Sequence, residues 1–298
     1  MKVRVRKAVL PVAGLGTRFL PITKATPKEM LPIVDKPLIQ FAVEEAINAG
    51  IEEIIFVTSS SKLSIENHFD SNFELEAKLA ETGKTRWLDM VRSIKPDNIS
   101  CVYVRQPSPL GLGHAVLCAR QLVGNEPFAV LLADDLIYTE NKSCLQQMME
   151  IFDQTNANLL AIQQVPMEDT NKYGIVALES NDLPTGEYRR TRSIVEKPNR
   201  NNAPSCFASI GRYILMPEVM DYLASAGKGA IGEIQLVDGI DKSIARHNNV
   251  YSYRFDGKRY DCGNKLGYLE ATVEYALRHP EVKEGMAEFL RRNYDSRV

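Results

Sequence analysis

Short apolar runs alternate with amphipathic stretches through the first half of the chain, and few architectures accept that alternation. Ala8–Val12, Ile54–Thr58, Cys101–Val104 and Phe128–Ala133 are bounded by Gly, Pro or polar residues, as strands buried on both faces are. Between them, Leu38–Asn48 carries Leu38, Ile39, Ala42, Val43, Ala46 and Ile47 at a helical period ended by Gly50. Leu112–Leu122 and Cys144–Phe152 repeat the pattern. This order predicts a doubly wound α/β sheet with right-handed crossovers. Residues 62–95 are polar and helix-prone, and are expected to cover one flank as a helical insertion. Beyond residue 165 the rhythm changes. Tyr173–Leu178, Tyr188–Val195 and Phe207–Leu215 read as strands of a mixed sheet that extends or roofs the first. A helix at Glu233–Arg246 and a strand at Val250–Phe255 follow, then two helices within Lys265–Arg292 split at Pro280. The expected division is one α/β unit over 1–265 and a helical C-terminal extension over 266–298.

Composition narrows the function classes. The chain has 298 residues, 44% hydrophobic and 25% charged, enough for a sizeable core. Thirty-six Lys plus Arg stand against 38 Asp plus Glu, a formal charge of −2, so no footprint for a nucleic-acid partner is visible. The five cysteines (101, 118, 144, 206 and 262) form no CxxC pair, which argues against a disulfide framework or a Cys-rich zinc site and for a reducing cytosol. His68, His247 and His279 show no metal spacing. The basic Met1–Lys7 followed by apolar Ala8–Leu15 faintly resembles a leader. However, Pro11 and Gly14 break that short stretch and Arg18 ends it, so a buried strand and its loop fit better. No uncharged run is long enough to span a bilayer. A soluble, cytoplasmic chain without a membrane partner is the expectation.

The strongest local signal is Val12-Ala13-Gly14-Leu15-Gly16-Thr17-Arg18, with Lys24 and Lys28 downstream. Gly14 and Gly16 allow a ligand close to the backbone and offer N–H groups to an anion, while Arg18 and Lys28 add charges suited to a polyphosphate. Prolines at 21, 27, 32 and 37 keep the segment from becoming one helix. A P-loop would need GxxxxGK[ST], which is absent. A dinucleotide fingerprint would need a small residue where Phe19 stands and an acid where Thr58-Ser59-Ser60 stands. On the glycines alone, a tight turn explains the loop as well as a ligand does.

Seven segments in order carry a family resemblance: AGLGTRFLPITKATPKEMLPIVDKPLIQ at 13–40, RQPSPLGLGHAV at 105–116, LLADD at 131–135, YGIV at 173–176, IVEKP at 194–198, GEIQLVDGI at 232–240 and YDCGNKLGYLEA at 260–271. The chain resembles the sugar-1-phosphate nucleotidylyltransferases, and among them the bacterial UTP–glucose-1-phosphate uridylyltransferases. That resemblance implies a Rossmann-like fold of glycosyltransferase-A type, with a mixed, mainly parallel sheet and flanking helices. It also implies transfer of UMP from UTP to glucose 1-phosphate, with UDP-glucose and pyrophosphate as products and Mg²⁺ as cofactor. Homodimers or homotetramers are common in the family. Ala133 before Asp134 and the 62–95 stretch depart from the pattern without touching the implied chemistry.

By the same resemblance, Ala13, Gly14 and Gly16 hold the nucleotide, with Arg18 and Lys28 on the triphosphate. Gln106 and Gly111 read the base. A Gln amide both donates and accepts, so Gln106 does not by itself separate uracil from cytosine. Asp134 and Asp261 bind Mg²⁺, Asp135 standing behind them. Taken without the family, Asp134-Asp135 also fits a helix or turn cap, and Asp261 a turn. Gly174 and Glu196 hold the sugar, and Lys197 its phosphate. Without the family, Glu196-Lys197 reads as a solvated surface pair. His114 is expected to be a packed or capping residue rather than a base, and Cys262 to be structural. The rivals are a sibling transferase using dTTP or CTP, a glycosyltransferase consuming a UDP-sugar, and a catalytically silent sugar-nucleotide-binding paralogue. The last loses Thr-Arg in the first loop or the strand-end Asp, and Thr17, Arg18 and Asp134 are all present here.

Overall fold

The computed structural model describes residues 3–227, 232–247 and 249–294, so Met1, Lys2 and the last four residues of the expected C-terminal extension lie outside it, as does the His247 side chain. The chain begins with β1 (Lys7–Pro11), passes three 3-10 turns and a short hairpin of β2 (Pro32–Ile33) and β3 (Lys36–Pro37), and continues into α1 (Leu38–Asn48) and β4 (Glu53–Thr58). Residues 62–95 contain α2 (Leu63–Phe69), α3 (Phe73–Glu81) and α4 (Thr85–Ser93), and β5 (Ser100–Arg105) follows. Next come α5 (Leu112–Cys118), α6 (Arg120–Val123), β6 (Phe128–Leu131), β7 (Asp135–Tyr138) and α7 (Cys144–Thr155). The second half adds β8 (Asn158–Gln164), β9 (Gly174–Leu178), β10 (Tyr188–Glu196), β11 (Phe207–Leu215), α8 (Glu218–Ala224) and α9 (Leu236–His247). It closes with β12 (Val250–Arg254), β13 (Lys258–Asp261), α10 (Lys265–Ala276) and α11 (Lys283–Tyr294).

Nine strands form one sheet in the order β5-β4-β1-β6-β11-β8-β12-β10-β9. Following the pairings from β1, seven strands run one way and only β10 and β11 run against them, so the sheet is mixed and mainly parallel. Both faces are covered. On β4, Ile54 and Phe56 pack toward α1 and α7 with Ile39, Val43, Leu145 and Phe152; Ile55 and Val57 pack toward α5, α8 and α9 with Val116, Val219 and Ile240. Two-residue alternation on a strand buried on both sides explains why the sequence run reads as continuously apolar.

Several elements differ from the sequence expectation. The single helix expected over Leu112–Leu122 is two, because the Ala119 N–H turns back to Val116 O and closes α5 there. β8 is an apolar run that the reading passed over, and it lies at the centre of the sheet beside β11 and β12. The β7–β13 ribbon sets Asp135 opposite Asp261, joining segments 126 residues apart. On that ribbon a small core of Ile33, Leu38, Leu136, Tyr260, Cys262 and Ala271 docks α10.

Registers place the ligand side of the sheet. β1, β4, β5 and β6 end together, and β9 begins near that level, since Ser209 faces Gly174 while Arg212 faces Leu131 along β11. The loops after β1, β5 and β6 therefore meet the start of β9 and the end of β10 in one cleft. Open α/β sheets bind ligands there.

Candidate active site

The loop after β1 is an array of unused donors. Val12 N–H is bonded to Val57 O and Phe19 N–H returns to Gly16 O, but no N–H of residues 13–18 meets an acceptor among the described residues. Six consecutive donors without such an acceptor are available to an anion. Gly16 has φ 66°, and a side chain there would meet Lys28 Cβ and Thr23 Cγ2 at 3.2 Å, so glycine is required for both backbone and space. Thr23 Oγ1 donates to Gly16 O at 2.8 Å and pins the turn, a role the sequence reading missed. Gly14 and Lys28 line a cleft of about 310 Å³ with Ala13, Gln106, Gly111 and Asp134.

Lys28 Nζ donates to Asp134 Oδ2 at 2.6 Å, and the two side chains keep 23% and 29% exposure. Burial pushes the Asp134 carboxyl up, but the Lys28 ammonium outweighs it and holds the group below its ordinary range. Burial likewise opposes charge on Lys28, and Asp134 with Glu29 more than restores it, raising its pKa.

Asp261 is built by the residues that follow it. Gly263 N–H donates to its Oδ1 at 3.0 Å, and Asn264 Nδ2 donates to its main-chain oxygen at 3.1 Å while Asn264 Oδ1 caps α10. Gly267 admits no side chain, because a Cβ there would lie 2.2 Å from Asp261 O. The Cys262 N–H donates to Asp134 O at 2.8 Å and stitches the two aspartate loops together.

A Cβ placed on Gly263 would stand 3.0 Å from Asp261 Oδ1, 3.1 Å from Asp134 Oδ2 and 3.7 Å from Arg18 Nη1. Both carboxylates thus face one small void, kept open by the missing side chain. Among the described residues no group of three or more His, Cys, Asp or Glu is disposed to hold a metal alone. Two carboxylates on a shared void suit Mg²⁺, which takes one or two carboxylates and completes its shell with phosphate oxygens and water. Arg18 enters from the other side, its Nη1 3.4 Å from Gly263 O.

Beneath lies a network that sequence reading did not find. Asp135 accepts from Gly211 N–H at 2.6 Å and from Arg259 Nε at 2.5 Å. Burial pushes its carboxyl up, with Arg259 opposing and the Asp134 charge adding to the rise. Arg212 donates to Glu45 Oε2 through Nε and Nη2 and to the main-chain oxygens of Leu132, Gly211 and Asp135. The chain of charges fixes the 132–135 loop from below. Its members are scattered from 45 to 259, so no local spacing announces it.

Across the cleft, Glu196 ends β10 opposite Gly174, and a Cβ on Gly174 would lie 3.3 Å from Glu196 Oε2. Glycine there leaves the carboxylate accessible beside a backbone edge. Lys197 has φ 44°, an unusual conformation for a non-glycine residue, held by its N–H bonding Tyr173 O at 2.9 Å. Its ammonium lies 3.1 Å from Glu196 Oε1. Gln106 Nε2 donates to Gly111 O and to His114 Nδ1. The fold therefore gathers Ala13, Gly14, Gly16, Arg18, Lys28, Gln106, Gly111, Asp134 and Asp261 around one end of the cleft, with Gly174, Glu196 and Lys197 at the neighbouring strand ends.

A glycine-lined cleft with Arg18, Lys28 and paired carboxylates, at the carboxyl ends of a mainly parallel sheet, defines a nucleotide-handling α/β protein. The chain belongs to the nucleotidyl transferase family, whose model matches residues 7–277. It is 50% identical to a UTP–glucose-1-phosphate uridylyltransferase of Bacillus subtilis (strain 168), over 96% of each chain. A UTP-bound UGPase from Acinetobacter baumannii superposes with a TM-score of 0.90 at 43% identity, covering 97% of this chain and 99% of that one. A UDP-glucose pyrophosphorylase complexed with UDP-glucose gives a TM-score of 0.83 at 43% identity, over 92% and 100%. No helix among the described residues is long and apolar enough to cross a membrane.

Proposed function

We propose that this chain transfers UMP from UTP to glucose 1-phosphate, forming UDP-glucose and releasing pyrophosphate. The whole-length likeness to relatives that carry this activity in their names, one of them bound to UTP and one to UDP-glucose, carries the reading. The bond that forms joins a phosphate oxygen of glucose 1-phosphate to the α-phosphorus of UTP; the bond that breaks joins that phosphorus to the oxygen leading to the β-phosphate. The attacking oxygen is already anionic at neutral pH, so no general base is needed.

The chain's own contribution is position and charge. The free N–H groups of 13–18 hold the triphosphate, and Arg18 and Lys28 neutralise the pyrophosphate as negative charge gathers on it. Lys28 exchanges Asp134 for a phosphate oxygen, a small move for a partly exposed ammonium. Gln106 and Gly111 hold the base, Gly174 and Glu196 the sugar hydroxyls, and Lys197 brings the sugar phosphate into line. Asp134 and Asp261 would hold Mg²⁺, which supplies further neutralisation of the phosphates when bound. The exposed apolar side chains of Leu20, Ile22, Leu266 and Leu269 support assembly into a homodimer or homotetramer. A cytoplasmic setting is supported by five free cysteines.

The test is pyrophosphate release with glucose 1-phosphate and Mg²⁺, comparing UTP, dTTP, CTP, ATP and GTP. Release with UTP far above the others, with UDP-glucose recovered, is the expected result. Preference for dTTP or CTP would make it a sibling transferase. UDP-glucose binding without release would make it a silent sugar-nucleotide-binding paralogue.

A further inference from the structure

Gln106 is anchored at both ends. Its N–H donates to Thr58 O at 2.9 Å, and its side-chain Nε2 donates to Gly111 O at 3.1 Å and to His114 Nδ1 at 3.0 Å. The Gly111 carbonyl can only accept, so it settles which end of the amide is nitrogen: turned over, Oε1 would face another oxygen at that distance. The acceptor itself is held still. Gly113 N–H donates to Ile234 O and Ile234 N–H to Leu110 O, both at 2.8 Å, and a Cβ on Gly111 would lie 2.7 Å from Ile234 O. With both amide hydrogens used, Oε1 is the side-chain polar atom of Gln106 left without a partner among the described residues, in a side chain that lines the cleft. The Gly111 N–H meets no acceptor among the described residues.

We propose that His114, as its Nε2–H tautomer, is a positioning residue: its Nδ1 takes the second amide hydrogen of Gln106, fixes Oε1 toward the base, and thereby sets the preference for uracil over cytosine. Uracil offers N3–H to Oε1 with a flanking carbonyl for the Gly111 N–H. Cytosine has no hydrogen on N3. It meets the same acceptor–donor pair only by sliding one position along its edge, which the triphosphate cradle at 13–18 opposes. Without His114 the amide keeps one tether, and its second hydrogen is free to turn outward and donate to cytosine N3. The same geometry does not distinguish uracil from thymine, since both carry N3–H. This inference rests on the reading that Gln106 faces the base.

The experiment measures UTP and CTP dissociation constants by calorimetry for the wild type, His114→Leu and His114→Asn. Asn replaces Nδ1 with an oxygen acceptor at a similar reach. The expected result is a preference for UTP over CTP that falls roughly tenfold in His114→Leu, on the order of one lost hydrogen bond, and largely returns in His114→Asn. Equal weakening of both nucleotides in His114→Leu would mean a merely structural role and would overturn the proposal. Independently of whether the variants fold, the ¹⁵N signals of His114 in the wild type read the tautomer. Protonation at Nε2 is expected; a neutral ring protonated at Nδ1 would leave the Gln106 amide no acceptor there and would overturn it. Turnover of the wild type with UTP stands apart from both readouts, so failure of the reaction and failure of the lock are told apart.

Discussion

Two ion pairs in this cleft share a distance and nothing else. On the rim, Lys28 Nζ lies 2.6 Å from Asp134 Oδ2, with the side chains 23% and 29% exposed. One residue along the chain, Glu29 receives Lys62 Nζ over the same 2.6 Å, with the side chains 4% and 2% exposed. Arg212 and Glu45 form a second buried pair at 2.8 Å, 1% and 9% exposed. The rim pair is partly open to solvent, so under the proposed function its partners would be exchanged at little cost. The floor pairs are shielded from solvent, so losing one member strands a buried charge. The same chemistry serves as a switchable contact above and as a fixed frame below.

The frame carries the largest expected effect. Arg212→Met takes away the guanidinium that pairs with the buried Glu45 Oε2, and should destabilise the fold by about 3–5 kcal/mol in urea unfolding. A loss below about 1 kcal/mol would erase the distinction between floor and rim. On the rim the effect should move from stability to rate. Arg18→Ala or Asp134→Asn should lower turnover by roughly 10²-fold or more, the scale of one lost transition-state contact. Near-wild-type turnover at saturating UTP and Mg²⁺ in either variant would remove that residue from the chemistry.

The void between the two aspartates gives a finer test. Gly263→Ala places a methyl 3.0 and 3.1 Å from the carboxylate oxygens that face it. Mn²⁺ affinity, followed by its paramagnetic effect on water relaxation, should fall roughly 10- to 100-fold, the range seen when a metal site's supporting contacts are disturbed. Unchanged affinity would mean that the void holds no metal.

How much of this was legible in the sequence depends on whether neighbours in space are neighbours in the chain. The close approach of the 13–18 loop to Lys28 was, because the glycines and the downstream cations lie within one segment. The strands β4 and β11 were, because burial on both faces leaves an unbroken apolar run. The floor was not: Arg212, Glu45 and Arg259 look like ordinary surface charges until α1, β11 and β13 bring them around Asp135. Nor was the amide orientation of Gln106, which depends on Gly111 O and His114 Nδ1. Asp134 and Asp135 were told apart only by the family register, not by their own chemistry. Adjacent and chemically identical in the sequence, one faces the cleft and the other is sealed beneath it.

Acid separates rim from frame more gently. Asp134 is held below its ordinary range by Lys28, with burial working the other way. A carboxyl depressed in the folded state contributes stability that is fully present above its unfolded pKa, about 4, and is lost as pH falls through the lower folded value. The wild type should therefore lose its stability margin over Asp134→Asn only below about pH 4, as urea unfolding on both proteins across that range would show. Lys28, raised by the same contact, gives the mirror image: its contribution persists below its ordinary pKa and fades only as pH climbs through the raised one.

Cys262 gives the smallest expected effect, and it tests the frame from within. The residue sits between Asp261 and Gly263, one position from each of the groups that line the void, where an ordinary thiol would be open to alkylation. It is 2% exposed, and burial, reinforced by the charges of Asp135, Asp134 and Asp261, pushes the thiol up to about 12. The thiolate is the reactive form, so at mildly alkaline pH Cys262 should be almost wholly protonated as well as covered. Iodoacetamide should leave it unmodified in the folded protein, by mass spectrometry of its peptide, while the half-buried Cys206 reacts faster. Rapid labelling of Cys262 would mean that the β7–β13 ribbon opens readily, and the aspartates would then stand on a moving support.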